Sequence, residues 1–77
     1  MRDEVTFEIK EHLGLISEDR NGWKKEVNLV AWNGQPPKVD IRSWDSSHER
    51  MTRGITLTMD EADNLAIILA EWFETHE

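Results

Sequence analysis

Two neighbouring segments, Gly22–Asn33 and Lys38–Trp44, alternate in character with a period of two, and this constrains the fold more than any other feature of the chain. Side chains alternate across a strand. The first segment therefore places Trp23, Lys25, Val27, Leu29 and Ala31 on one face and Lys24, Glu26, Asn28, Val30 and Trp32 on the other. In the second segment Val39 and Ile41 continue the apolar set, while Lys38, Asp40, Arg42 and Trp44 continue the polar one. The even-numbered face is expected to meet solvent while carrying two indoles among cations. Such a surface can stack an unpaired base while Lys and Arg hold its phosphate, which points to single-stranded nucleic acid.

The remaining segments fit the same sheet. Val5–Ser17 alternates through Val5, Phe7, Ile9, Leu13 and Leu15 and stops before Asn21-Gly22, a strong turn signal, so it reads as a first strand and hairpin. The second strand ends at Asn33-Gly34, and Pro36-Pro37 keeps the connection out of the ladder because proline has no backbone donor. Asp45–Glu49 is loop-like, and Met51–Thr58 reads as a fourth strand with a flexible lead-in. Thr58-Met59-Asp60-Glu61 fits a capping box and marks the start of a helix. Its apolar stripe of Ala62, Leu65, Ala66, Leu69, Trp72 and Phe73, widened by Ile68 and Ala70, covers roughly 200° of the helix wheel. One sheet needs only about half of that arc, so a second copy of the helix is expected against the excess. Trp23 and Trp72 are expected to serve packing.

Residues 1–77 read as a single small domain without cysteine, a size at which burial is marginal and self-association a common remedy. Met1-Arg2-Asp3-Glu4 lacks the apolar run of a signal peptide, and no stretch approaches the ~20 apolar residues of a membrane span. A cytoplasmic, nucleoid-associated protein with no membrane partner is expected. The net charge of −7 disfavours a polyanion ligand until its distribution is considered. Residues 1–19 carry −4, residues 20–53 carry +3 and residues 54–77 carry −6. Screening over ~8–10 Å lets the basic middle act locally, with binding weaker and more salt-sensitive than for a basic domain.

Catalysis finds little support. His12, His48 and His76 lack the short spacing of metal ligands, and Ser46, Ser47 and His48 are merely adjacent in a loop. No phosphate-cradling glycine loop is present. A binding protein is expected, without enzymatic activity, cofactor or metal.

Trp32-Asn33-Gly34, Lys38-Val39-Asp40-Ile41-Arg42-Ser43-Trp44 and Gly54-Ile55-Thr56-Leu57-Thr58-Met59-Asp60-Glu61 carry a family resemblance. In that order they resemble the C-terminal domain of transcriptional positive cofactor four, most closely its small bacterial YdbC-like branch, over approximately residues 5–73. The resemblance implies an α+β fold in which a four-stranded antiparallel, strongly curved sheet precedes one C-terminal helix. It further implies a homodimer held through the helix and a groove binding single-stranded DNA with little sequence preference. Trp32 and Trp44 match the family's aromatic positions, Arg42 the basic residue of its third strand, and Arg53 a basic residue before the glycine of the fourth. Asp45 and Thr52 depart from it, standing where relatives have an aromatic and a cation. Together with the face assignment, the candidate nucleic-acid-binding residues are Lys24, Asn28, Trp32, Lys38, Arg42, Trp44 and Arg53. Transcription, replication or repair is the expected setting, with transcription or replication proteins as further partners. The same groove also suits RNA, or a peptide of a protein-interaction partner.

Overall fold

The computed structural model describes residues 5–76, so the Met1–Glu4 segment considered above lies outside the described residues. Four antiparallel strands, β1 (Phe7–Glu18), β2 (Lys24–Trp32), β3 (Lys38–Trp44) and β4 (Ile55–Leu57), form one sheet in the order β1-β2-β3-β4, followed by α1 (Met59–Thr75). This is the expected α+β arrangement. The third strand has the bounds read from the sequence. The fourth is shorter than the expected Met51–Thr58, its lead-in joining the sheet through an isolated bridge from Met51 to Trp44 and a bond from Ser43 N–H to Thr52 Oγ1.

Turn chemistry sets the hairpins. Asp19 organises the first, its Oδ1 accepting from the backbone N–H groups of Asn21 and Trp23 while Gly22 takes a φ of 86° that few side chains tolerate. In the second, Asn33 and Gly34 both have positive φ, and Gln35 N–H donates to the Trp32 carbonyl, the pattern of a hairpin turn matched to strand twist. Asn33 also ties down the start of β1, its Oδ1 accepting from Thr6 N–H at 2.9 Å. The helix starts as expected, with Thr58 Oγ1 accepting from Glu61 N–H and Glu61 accepting in return from Thr58 N–H.

β1 departs from uniform alternation. Its 12 residues pair with the nine of β2 through three register shifts, which leave Lys10, Leu13 and Ile16 without a cross-strand partner. A bulge inserts one residue and moves everything after it to the other face. Phe7, Ile9, His12 and Leu15 thus stand opposite Trp32, Val30, Asn28 and Glu26, whereas Leu13 and Ile16 join the apolar face with Val27, Val39, Ile41 and Leu57. The expected grouping of Leu13 with Phe7, Ile9 and Leu15 is corrected by these shifts.

Burial falls mainly on the unexpected side of the sheet, with Ala31 and Val39 the buried strand residues of the odd-numbered face. Val30, Trp44, Asn28 and Asp40 are fully buried and Glu26 nearly so, all of them even-numbered. The even-numbered face is therefore an interior surface, not the solvent face its polarity suggested. The odd-numbered face carries α1, yet no helix residue is buried, and Ile68, Trp72 and Phe73 are all more than half exposed. Trp72, expected to pack, is half exposed, with its ring edge-on to Phe73 and face to face with His76 at 4.2 Å.

Candidate nucleic-acid interface

The register of β2 and β3 sets Lys24 opposite Trp44, Glu26 opposite Arg42, Asn28 opposite Asp40 and Val30 opposite Lys38, so the candidate residues of these strands share one face. Three groups of contacts organise that face. The first is aromatic: the Phe7 ring lies 5.7 Å from Trp32 and 5.2 Å from Trp44, covering the second indole from one side. His48, reaching back from the β3–β4 loop, covers it from another at 5.7 Å. Trp44 is consequently sealed, and the expectation that it offers an exposed stacking surface is corrected. Trp32 remains half-buried at the end of β2. Both indole N–H groups are buried without an acceptor among the described residues.

The second group is the Asp40–Arg42 pair. Arg42 donates from Nε to Asp40 Oδ1 at 2.6 Å and from Nη2 to Oδ2 at 2.7 Å, a two-pronged geometry that fixes the planar guanidinium. Thr56 Oγ1 donates a further bond to Asp40 at 3.0 Å, so the buried carboxylate is well supplied with donors. The guanidinium carbon sits 4.7 Å from the centre of the Trp32 ring, within cation–π range. Arg42 is therefore held as part of the Trp32 platform, and much of its hydrogen-bonding capacity is committed within the chain.

The third group contains residues that spacing alone missed. Glu26 lies at the floor of a cleft of about 350 Å³ lined by Ile9, His12, Asn28 and His48. His48 Nε2 is 3.1 Å from each Glu26 oxygen, Asn28 Nδ2 donates to Oε1 at 3.0 Å, and His12 Nδ1 donates to Asn28 Oδ1 at 2.8 Å. Because a carboxylate and an amide oxygen only accept, the facing ring nitrogens must carry protons. Burial acts to raise the Glu26 pKa, but the bonds from Asn28 and His48 and the charges of His48 and His12 outweigh it and hold the carboxyl below its ordinary value. Asn28, expected to reach a base or phosphate, is fully buried with its amide used on both sides, which corrects that reading. His12 and His48 are distant in sequence. Only the bulges of β1 and the turn of the β3–β4 loop bring them to one carboxylate, although the polarity of Glu26 on the even-numbered face was a readable signal.

That loop is internally organised. Asp45 Oδ1 accepts from the N–H groups of Glu49 and Arg50, and its backbone bonds to Arg50 and His48 close the turn, with His48 at a φ of 60°. Burial would raise the Asp45 pKa, but the Arg50, Ser47, Glu49 and His48 donors dominate and lower it. Asp45, which departs from the pattern that the resemblance implies, thus has a local structural role.

The cations Lys24, Lys38 and Arg53 have no carboxylate within ion-pair distance among the described residues, where only Lys10 and Arg42 of the Lys and Arg side chains are so paired. Lys38 and Arg53 are exposed and Lys24 is half-buried. Arg53 lines a separate cleft with Lys25, Ser43, Thr52 and Gly54. A Cβ on Gly54 would collide with the Ile41 carbonyl oxygen and Arg42 Cβ, so glycine lets this segment lie against β3.

Known proteins resemble this chain over most of its length. An uncharacterized protein of Treponema pallidum (strain Nichols) is 38% identical over 61 residues, covering 79% of this chain and 72% of that protein. The family described as Transcriptional Coactivator p15 (PC4) matches residues 20–68, which run from the first turn through β2, β3 and β4 into α1. With the aromatic strand ends, the Asp40–Arg42 pair and the close-packed Gly54 all inside that span, the chain belongs to the Transcriptional Coactivator p15 (PC4) family.

Proposed function

We propose that the protein binds single-stranded DNA with little sequence preference, as a homodimer joined through α1. The observation that carries this reading is a half-buried Trp32 ring bearing the Arg42 guanidinium, in an acidic chain where Lys24, Lys38 and Arg53 have no carboxylate partner among the described residues. Trp32 supplies a face for a base, and the three cations supply phosphate contacts. Trp44 acts beneath this surface by holding Phe7 in place.

Strong curvature of the sheet is part of the same proposal. Trp32 and the position opposite Trp44 lie at the two ends of β2, which would separate them by roughly 26 Å along a flat strand. Phe7 nevertheless touches both indoles, as a sheet rolled about its even-numbered face allows. The homodimer reading is supported by the odd-numbered face. An apolar cleft there is lined by Leu13, Ile16, Leu57, Leu65 and Leu69 among others, while Ile68 and Trp72 form a second apolar side of the helix. A broad exposed apolar surface of this kind marks association.

The test is tryptophan fluorescence titrated with oligothymidine, with duplex DNA of equal length, and at two salt concentrations. Single strands are expected to quench and to bind more weakly at the higher salt. Lys38→Gln and Arg53→Gln should each lower the salt slope by about 0.7, the value per phosphate contact on a single strand. Equal response to duplex and single strand, or none to either at low salt, would overturn the reading.

A further inference from the structure

The His48 imidazole has a double attachment that a loop anchor alone does not require. Its ring neighbours Trp44, a side chain with no exposed surface, at 5.7 Å between centroids and tilted by 37°, and its Nε2–H faces both oxygens of the buried Glu26 carboxylate. It is itself partly exposed, standing between solvent and Glu26 at the mouth of the cleft. A planar ring beside an indole, directing an N–H at a carboxylate, marks a position open to a nucleobase as well. We propose that this cleft is a base-reading position, selective for guanine, which His48 occupies when no strand is bound. This rests on the single-strand reading above and adds one selective position to an otherwise indifferent groove.

The choice of guanine follows from the groups present. Its N1–H and N2–H₂ form adjacent donors on one edge, matching the two oxygens of a carboxylate. Cytosine and adenine present a single exocyclic amine there. Thymine sets its one N–H between two carbonyls, which Glu26 would repel. Glu26 is suited to the task because its carboxyl is held ionised by donors that surround it. The exchange keeps the donor count balanced: the base brings N–H groups to the carboxylate as His48 withdraws its own. The loop from Asp45 to Arg50 closes on itself through Asp45, so His48 can swing away without unpairing β2 and β3.

Four oligothymidines of equal length, carrying thymine, cytosine, adenine or guanine at one central position, provide the test by fluorescence polarisation. The guanine strand should bind the wild-type protein roughly 5- to 150-fold tighter than the all-thymine strand, the range of a good bidentate contact. Glu26→Gln should erase that difference. His48→Ala, on the loop, should widen it, and this variant keeps the test decisive if Glu26→Gln does not fold. Equal affinity for all four strands overturns the inference and leaves His48 as a loop anchor. A guanine preference that survives in folded Glu26→Gln, or that His48→Ala does not widen, overturns it as well. Absence of binding to every strand at low salt overturns instead the single-strand reading beneath it.

Discussion

On the even-numbered face of the sheet, Glu26, Asn28 and Asp40 are sealed from solvent; on the odd-numbered face of the same strands, Val27, Ile41 and Leu57 look into an apolar cleft beneath a helix with no buried residue. Polarity therefore does not decide which side of this sheet is covered. What decides it is whether the chain can bring cover and whether the covered groups can satisfy one another. β1 brings Phe7, Ile9 and His12 to the even-numbered side, and each carboxylate there finds donors from Asn28, His48, Arg42 or Thr56. The odd-numbered side has only α1 for cover within one chain, and α1 is too narrow and too lightly seated to close it. An apolar face left open in this way is the surface the proposed second copy would bury.

The sharpest way to break this contrast is to unbalance the sealed side. Asp40→Ala would strand the Arg42 guanidinium, which is largely buried, and remove the acceptor for Thr56. Breaking one partner of such a pair is expected to cost about 3–5 kcal/mol, read as a fall in the urea midpoint. Trp44→Ala belongs to the same class, since the ring is fully buried, so a loss of DNA binding in that variant would not separate the fold from a base contact. Trp32 is the position at which a stacking test is clean. A smaller loss within one chain is expected on the other side. Ile68 is 62% exposed, so Ile68→Asp in a monomer should change stability by no more than about 0.5 kcal/mol. If a second helix covers it, the same change should cost about 2 kcal/mol or more and shift sedimentation toward the single chain. Unchanged mass and midpoint would end the helix-mediated dimer.

Much of this architecture was legible because the signals were local. The Asn33-Gly34 turn, the Thr58–Glu61 box and the alternation of Lys38–Trp44 each fix a boundary with residues that touch one another, and each is present in the structure. The shared face of Trp32, Arg42 and Trp44 was legible for the same reason, as strand parity fixes it. Its exposure was not. Covering Trp44 depends on Phe7 and His48, which come from opposite ends of the sheet, and the His12–Asn28–Glu26 chain depends on three bulges that leave no mark in a hydrophobicity pattern. A bulge costs only one residue of alternation, so a 12-residue strand of mixed character conceals it.

Acid offers the mildest perturbation and separates the two sides most cleanly. Among the described residues, none that lines the apolar cleft of the odd-numbered face is titratable, whereas Glu26 and the Asp45 loop both contain carboxyls held below their ordinary values. A carboxyl with a lowered folded pKa stabilises the fold fully above its unfolded value, about pH 4, and loses that contribution as the pH falls through the folded value. The unfolding midpoint should thus be insensitive to these two groups between about pH 7 and 5 and decline below about pH 4. Glu26→Gln should show a shallower acid decline than the wild type, because its amide keeps an acceptor for Asn28 or His48 but cannot take up the proton. Asp45→Asn should do the same to a lesser degree, its side chain lying at the surface where solvent screens the gain. An acid limb identical in wild type and both variants would place the sensitivity in other carboxyls and would remove the even-numbered network as the acid-sensitive side of the sheet.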